Sequence, residues 1–171
     1  MNVFEEMRRG KAYDIRDKDY QEQVHGEIDR GNYLCQQINQ TDTRDKETLR
    51  KLEGELFGGS LPEGTFLTPP FQIDCANRVF LGKNVFANHN LTVMSLGTVT
   101  IEDGAMLGPE VGLFTVNHEP KNIRVLRTKE IPIKKTPGSA PESASCPASP
   151  SVKMPSSAQA ASLPKTFPTT V

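Results

Sequence analysis

The chain has 171 residues, 36% hydrophobic and 24% charged, with no Trp, which suits one domain with a modest core. A total of 20 Lys and Arg against 21 Asp and Glu leaves a formal net charge of -1, so the basic surface that nucleic acid or an anionic membrane requires is not expected. Cys35, Cys75 and Cys146 stand far apart with no CxxC or Cys/His pairing, which argues against a disulfide framework or a zinc site and for reduced thiols.

The opening stretch, MNVFEEMRRGKAYD, has no apolar targeting core, and no run of about 18 apolar residues follows it. The expectation is a cytoplasmic chain. Residues 1-58 read as a helical segment. Tyr20, Val24, Ile28, Leu34 and Ile38 fall near one helical face, and Leu49, Leu52 and Leu56 repeat the pattern, predicting two short amphipathic helices. Stripes this narrow need a surface to pack on. The GGSLPEG segment then marks a linker into extended chain.

Residues 59-135 carry a six-residue rhythm: VFLGKN, VFANHN, LTVMSLGT, VTIEDG, AMLGPE, VGLFTV. The first positions are Val79, Val85, Leu91, Val99, Ala105 and Val111. The third positions are Leu81, Ala87, Val93, Ile101, Leu107 and Leu113. Gly or Asn often follows, where the chain must turn. This is the pattern of a hexapeptide parallel β-helix, in which each block is a short strand plus a turn and about three blocks close one triangular coil. In this reading only Leu91 to Thr98 breaks step, by two residues. Antiparallel hairpins would favour Asn-Gly or Asp-Gly turns, and one such pair occurs, Asp103-Gly104.

Four pieces in order, MRRGKAYD, CQQINQ, PPFQIDCANRVFLGKNVFANHNLTV and LGPEVGLFTVNHEP, resemble the maltose and galactoside O-acetyltransferases of the hexapeptide-repeat superfamily, from about Met7 to Ile133. The resemblance implies an all-β, left-handed parallel β-helix partly covered by the amino-terminal helical segment. It also implies a homotrimer, no metal, and acetyl transfer from acetyl-CoA to a sugar hydroxyl at a site between subunits. His118, in TVNHEP, matches the general base of that family, and Asn88, in VFANHN, its active-site asparagine, placed to serve the oxyanion or the acceptor. Asp14 and Asp74 match positions lining the acceptor pocket. Each also has a plainer reading: His118 as structural, Asn88 as a turn residue, the two aspartates as polar loop residues. The family usually has an acceptor-holding aspartate after NLTV, where this chain has Ser95 and Leu96. His25 and His89 read as surface or packing residues.

From Thr136 the chain turns into a Pro, Ser and Ala mixture holding seven of its 13 prolines, the composition of a disordered tail. Ser143 and Ser149, like Ser145 and Ser151, are six apart. A single base lost near Lys135 would convert repeat codons into such a tail, so a frameshift is the favoured reading and a natural low-complexity tail the alternative. The later coils, along which the family holds coenzyme A, are then replaced, and no residues for the coenzyme are assigned. Two functions follow: an acetyl-CoA-dependent sugar O-acetyltransferase impaired by that loss, or an inactive remnant or β-helical interaction module.

Overall fold

The computed structural model describes residues 2-134; the tail from Thr136, and with it the frameshift reading, lies outside the described residues. Helix α1 spans Val3–Arg8, capped by the Asn2 side chain, which accepts from the Glu5 amide at 3.2 Å. Strand β1 is Tyr13–Asp14. A continuous helical run follows: α2 at Lys18–Tyr20, a π-helical turn at Gln21–His25, and α3 at Gly26–Gln40. Helix α4, Lys46–Phe57, is capped by Asp45, which accepts from the Thr48 amide at 3.1 Å. Gly58 ends it in the left-handed conformation, as a residue without Cβ can do cheaply.

The remainder is a triangular coil of short parallel strands. β2 (Phe66–Leu67), β5 (Phe86–Ala87) and β8 (Met106–Leu107) form one face. β3 (Phe71–Ile73), β6 (Leu91–Met94) and β9 (Gly112–Phe114) form the second. β4 (Val79–Leu81), β7 (Val99–Ile101) and β12 (Ile131–Ile133) form the third. Between β9 and β12 the chain leaves the coil as a hairpin, β10 (Val116–Glu119) and β11 (Asn122–Thr128), whose β11 also pairs antiparallel with β1.

The aliphatic rhythm folds as its spacing requires. Val79, Val85, Leu91, Val99 and Ala105, with Ala87, Val93, Ile101, Leu107 and Leu113, are all buried inside the prism, while Leu81 and Val111 pack on it partly exposed. The step between stacked strands corrects one sequence expectation. Phe66 pairs with Phe86 and Phe86 with Met106, a repeat of 20 residues. The eight-residue block Leu91 to Thr98 is therefore no interruption; Phe71 to Arg78 is its counterpart one coil below. The two additional residues build the same corner each time. Turns repeat at this interval too: Gly64, Asn84 and Gly104 have positive φ at one corner, Asn90 and Glu110 at another.

Helix α3 closes the open edge of β3, the first strand of its face. Gly31 allows the helix to lie against the carbonyls of Ile73 and Asp74. One turn on, the Cys35 Sγ lies 3.4 Å from the Ile73 amide, and another turn on Asn39 brackets Phe71, accepting from its amide at 2.9 Å and donating to its carbonyl at 2.8 Å. Side chains thus replace the strand that an exposed edge would otherwise recruit. Leu34, Ile38, Leu49 and Leu56 fill the base of the prism behind this contact. A second core joins Val3, Phe4, Met7, Tyr13, Tyr20 and Val24 to Cys75, Leu96 and Leu126, supporting the hairpin.

Candidate active site

The corner with the two additional residues carries a buried polar column. Asp74 follows β3, and its Oδ1 accepts from the amides of Cys75 at 2.6 Å and Ser95 at 2.8 Å. Ser95 is fully buried; its hydroxyl donates to the Cys75 carbonyl at 2.7 Å and lies 3.0 Å from Asp74 Oδ1. One coil higher Thr115 Oγ1 donates to the Met94 carbonyl at 2.6 Å and accepts from the Gly97 amide at 2.8 Å. Ser95 therefore faces inward, where an acceptor cannot reach it, while the preceding Met94 is exposed. Asp74 remains half-buried, with one oxygen committed to holding the corner.

His118 rises from this corner on β10, opposite Leu126 of β11, which in turn lies opposite Tyr13 of β1. The irregularity between His118 and Glu119 leaves the imidazole exposed at the outer strand. Its Nδ1 contacts the backbone carbonyl of Ile123. A carbonyl can only accept, so Nδ1 carries the proton and the lone pair of the neutral ring sits on Nε2. That is the atom a general base uses.

The other three sequence candidates stand differently. Asp14 is held to the hairpin through β1 but alternates to the sheet face opposite His118. A two-point contact with Arg16, at 2.9 and 2.7 Å, and the Arg16 amide hold its carboxyl down to about 2. Asn88 follows β5 at the far end of the β3–β6–β9 face, and nothing among the described residues joins it to His118 within this chain. Its Oδ1 accepts from the His89 amide at 2.8 Å and lies 2.7 Å from His89 Nδ1, leaving the Nδ2 donors without a partner among the described residues. His25 packs edge-on against Tyr20, their rings 5.6 Å apart, a packing role as expected.

Arg78 is a residue that the sequence did not single out. It sits deep at the same corner, donating to Thr98 Oγ1 at 2.7 Å, with its guanidinium 5.7 Å from the Phe4 ring centre and 3.6 Å from Glu5. It ties α1 to the coil beneath the hairpin. No local signal could have found it, since its partners come from another coil and from the amino terminus. Among the described residues no group of His, Cys, Asp and Glu could hold a metal ion, and no helix is long and apolar enough to cross a membrane.

A parallel coil of hexapeptide blocks with an exposed histidine on an excursion loop defines a class of protein, and comparison with known proteins gives it relatives. No protein-family model matches the chain. The galactoside O-acetyltransferase of Escherichia coli K12 is 29% identical over 118 residues, 69% of this chain and 56% of that protein. A maltose O-acetyltransferase from Clostridium difficile 630 superposes with a TM-score of 0.66 at 22% identity, over 76% of this chain and 69% of that one. A hexapeptide-repeat-containing acetyltransferase from Vibrio cholerae O1 biovar eltor, complexed with acetyl coenzyme A, gives 0.62 at 24% identity, over the same 76% and 69%. The chain is thus a relative of the acetyltransferases and has the fold of those built on hexapeptide repeats. It spans 41 to 60% of the lengths of three curated relatives that it matches.

Proposed function

We propose that the chain is built as an acetyl-CoA-dependent O-acetyltransferase acting on a hydroxyl of a sugar, with maltose-like or galactoside-like molecules as acceptors. The observation that carries this is the tie between His118 Nδ1 and the Ile123 carbonyl, which leaves Nε2 as a base on an exposed ring. A sugar hydroxyl is too weak an acid to attack a thioester unaided, and imidazole titrates near neutrality. His118 Nε2 takes the hydroxyl proton as the sugar oxygen bonds to the acetyl carbonyl carbon. As the carbon–sulfur bond breaks, the imidazolium returns that proton to the departing thiolate. The Nδ2 of Asn88 donates to the oxyanion in between.

Asn88 and His118 lie at opposite ends of one face, so the site is completed between subunits, as a left-handed coil assembled into a homotrimer would allow. Acetyl transfer to maltose or a galactoside, followed by thiol release, tests the reading; His118→Ala should abolish it, and co-refolding His118→Ala with Asn88→Ala chains should restore part of it. A His118→Ala chain as active as the parent would overturn the assignment of the base. Failure of mixed chains to recover activity would overturn the shared site. The second reading, an inactive remnant or interaction module, requires that neither coenzyme A binding nor turnover be found.

A further inference from the structure

Arg78 and Thr98 close the two eight-residue corners, one a coil above the other, and each is held at a cost. The Arg78 side chain is only 12% exposed, and its Nε is buried with no hydrogen-bond partner among the described residues. Glu5, half-exposed and 3.6 Å away, offsets the charge only in part. Thr98 is buried, yet its backbone stands at φ 87, in the left-handed region that a β-branched residue rarely enters. The two meet in one bond, Arg78 Nη2 donating to Thr98 Oγ1 at 2.7 Å. Costs of this kind persist where the surroundings impose them, and they gather at functional sites.

What they hold is the root of the hairpin. The Thr98 amide donates to the Ser95 carbonyl at 2.8 Å, and the Thr98 carbonyl accepts from the Ile131 amide at 3.1 Å, where the chain re-enters the coil from β11. Beside it the Gly97 amide donates to Thr115 Oγ1, where the chain leaves, and the Thr115 carbonyl accepts from the Lys129 amide at 2.8 Å. A Cβ on Gly97 would stand 2.7 Å from Thr128 Cβ and 3.0 Å from the Thr115 carbonyl oxygen, so this loop fits tightly between the outgoing and returning strands. His118 is on the first of those strands, and the Ile123 carbonyl that fixes its tautomer is on the second. The position of its lone pair therefore depends on the two strands keeping their register, which is set at this root. We propose that Arg78 is a positioning residue for His118, acting through Thr98 and the base of the hairpin; the role rests on His118 being the base.

Arg78→Met removes the buried charge and keeps an apolar stem against Phe4, a change that folds commonly survive, but Thr98 loses what holds it. Nitrogen NMR of the three histidines, in the full chain without acetyl donor and at a pH where the rings are neutral, reads His118 directly. The parent should show one tautomer, protonated on Nδ1, and Arg78→Met a mixture of both. Thr98→Val breaks the same bond from the other side and should give the same mixture, which keeps the test decisive if Arg78→Met does not fold. Glycine adopts φ 87 unaided, so in a Thr98→Gly background Arg78→Met should leave the tautomer unchanged. A role confined to tying down α1 would instead show equally in both backgrounds, and Glu5→Gln would reproduce it. In acetyl transfer, kcat should fall by about tenfold or more in Arg78→Met, with KM for the sugar changed by less than about twofold. A parent already mixed, a folded Arg78→Met or Thr98→Val with a single tautomer, or the same mixture with and without Thr98→Gly would overturn the proposal. The expected tautomers in a chain that transfers no acetyl group would uphold it and overturn the proposed function alone.

Discussion

Gly31 offers the sharpest test of how the helical segment is seated. A Cβ built there would stand 2.8 Å from the Ile73 carbonyl oxygen and 2.1 Å from that of Asp74, the latter more than an ångström short of ordinary contact. Both obstacles are backbone of the coil and cannot swing aside, so Gly31→Ala must lift α3 off β3. Overpacking of this kind costs about 1–3 kcal/mol. If the Asn39 bonds to Phe71 stretch as well, each adds about 1 kcal/mol. Against this stands the gain of replacing Gly by Ala within a helix, about 1 kcal/mol. With both bonds lost, the net expectation is destabilisation by about 2–4 kcal/mol. Gly54→Ala, in the middle of α4, is the control: its Cβ would meet only the Gly59 carbonyl at 3.9 Å, ordinary contact, so the helix gain should appear as stabilisation of up to about 1 kcal/mol. Urea unfolding followed by circular dichroism reads both. If Gly31→Ala proved as stable as the parent while Gly54→Ala behaved as expected, the direct seating of α3 on β3 would be refuted.

Asp74→Ala should cost about 2–4 kcal/mol in the same assay, because it strips the acceptor from the amides of Cys75 and Ser95 and leaves buried donors unpaired; a loss under 1 kcal/mol would show that the corner does not depend on it. Asp14 is held by Arg16 down to about 2, below the 3.8 of a free carboxyl. Its interaction is therefore complete above about pH 4 and fades as pH falls through about 2. A carboxyl-carbon NMR titration should give that low midpoint, and one near 3.8 would contradict the Arg16 contact. Glu110 sits at φ 60 in the column that holds Asn90 at φ 61. Since Asn tolerates this conformation better, Glu110→Asn should stabilise the chain by about 0.5–1 kcal/mol; a lower melting temperature would count against that account.

The coil was legible because its defining residues are apolar and periodic. Val79, Val85, Val99 and Ile101 return to the interior at fixed intervals, and burial is what writes such a pattern into a sequence. The eight-residue corner was misjudged because Phe71 to Arg78, in the first coil, lacks the hexapeptide look, so its echo at Leu91 to Thr98 read as an exception. The seating of α3 was invisible for another reason. Gly31, Cys35 and Asn39 engage backbone atoms of Phe71, Ile73 and Asp74, and backbone leaves no trace in residue identity.

The site was only partly readable. His118 and Asn88 came from resemblance to a motif; the direction of the His118 lone pair depends on Ile123, a residue whose own identity is irrelevant because its carbonyl does the work. The burial of Glu53 on α4 had no sequence signal: the segment from Ser60 to Pro69 lies across that part of the helix and covers most of its surface, a consequence of chain path that helical periodicity alone does not encode.

Because every wall of the prism advances by the same count, the length of this scaffold is quantised. Excising residues 85 through 104 would bring Asn84 directly before Ala105 and put each remaining side chain back on its original wall, one storey lower. Excising six or eight would instead rotate the upper part against the lower by one wall, so that the eight-residue corners no longer stack. Change in such a protein is therefore tolerated in whole storeys, and the hairpin bearing the imidazole can be raised or lowered along the axis without being re-aimed.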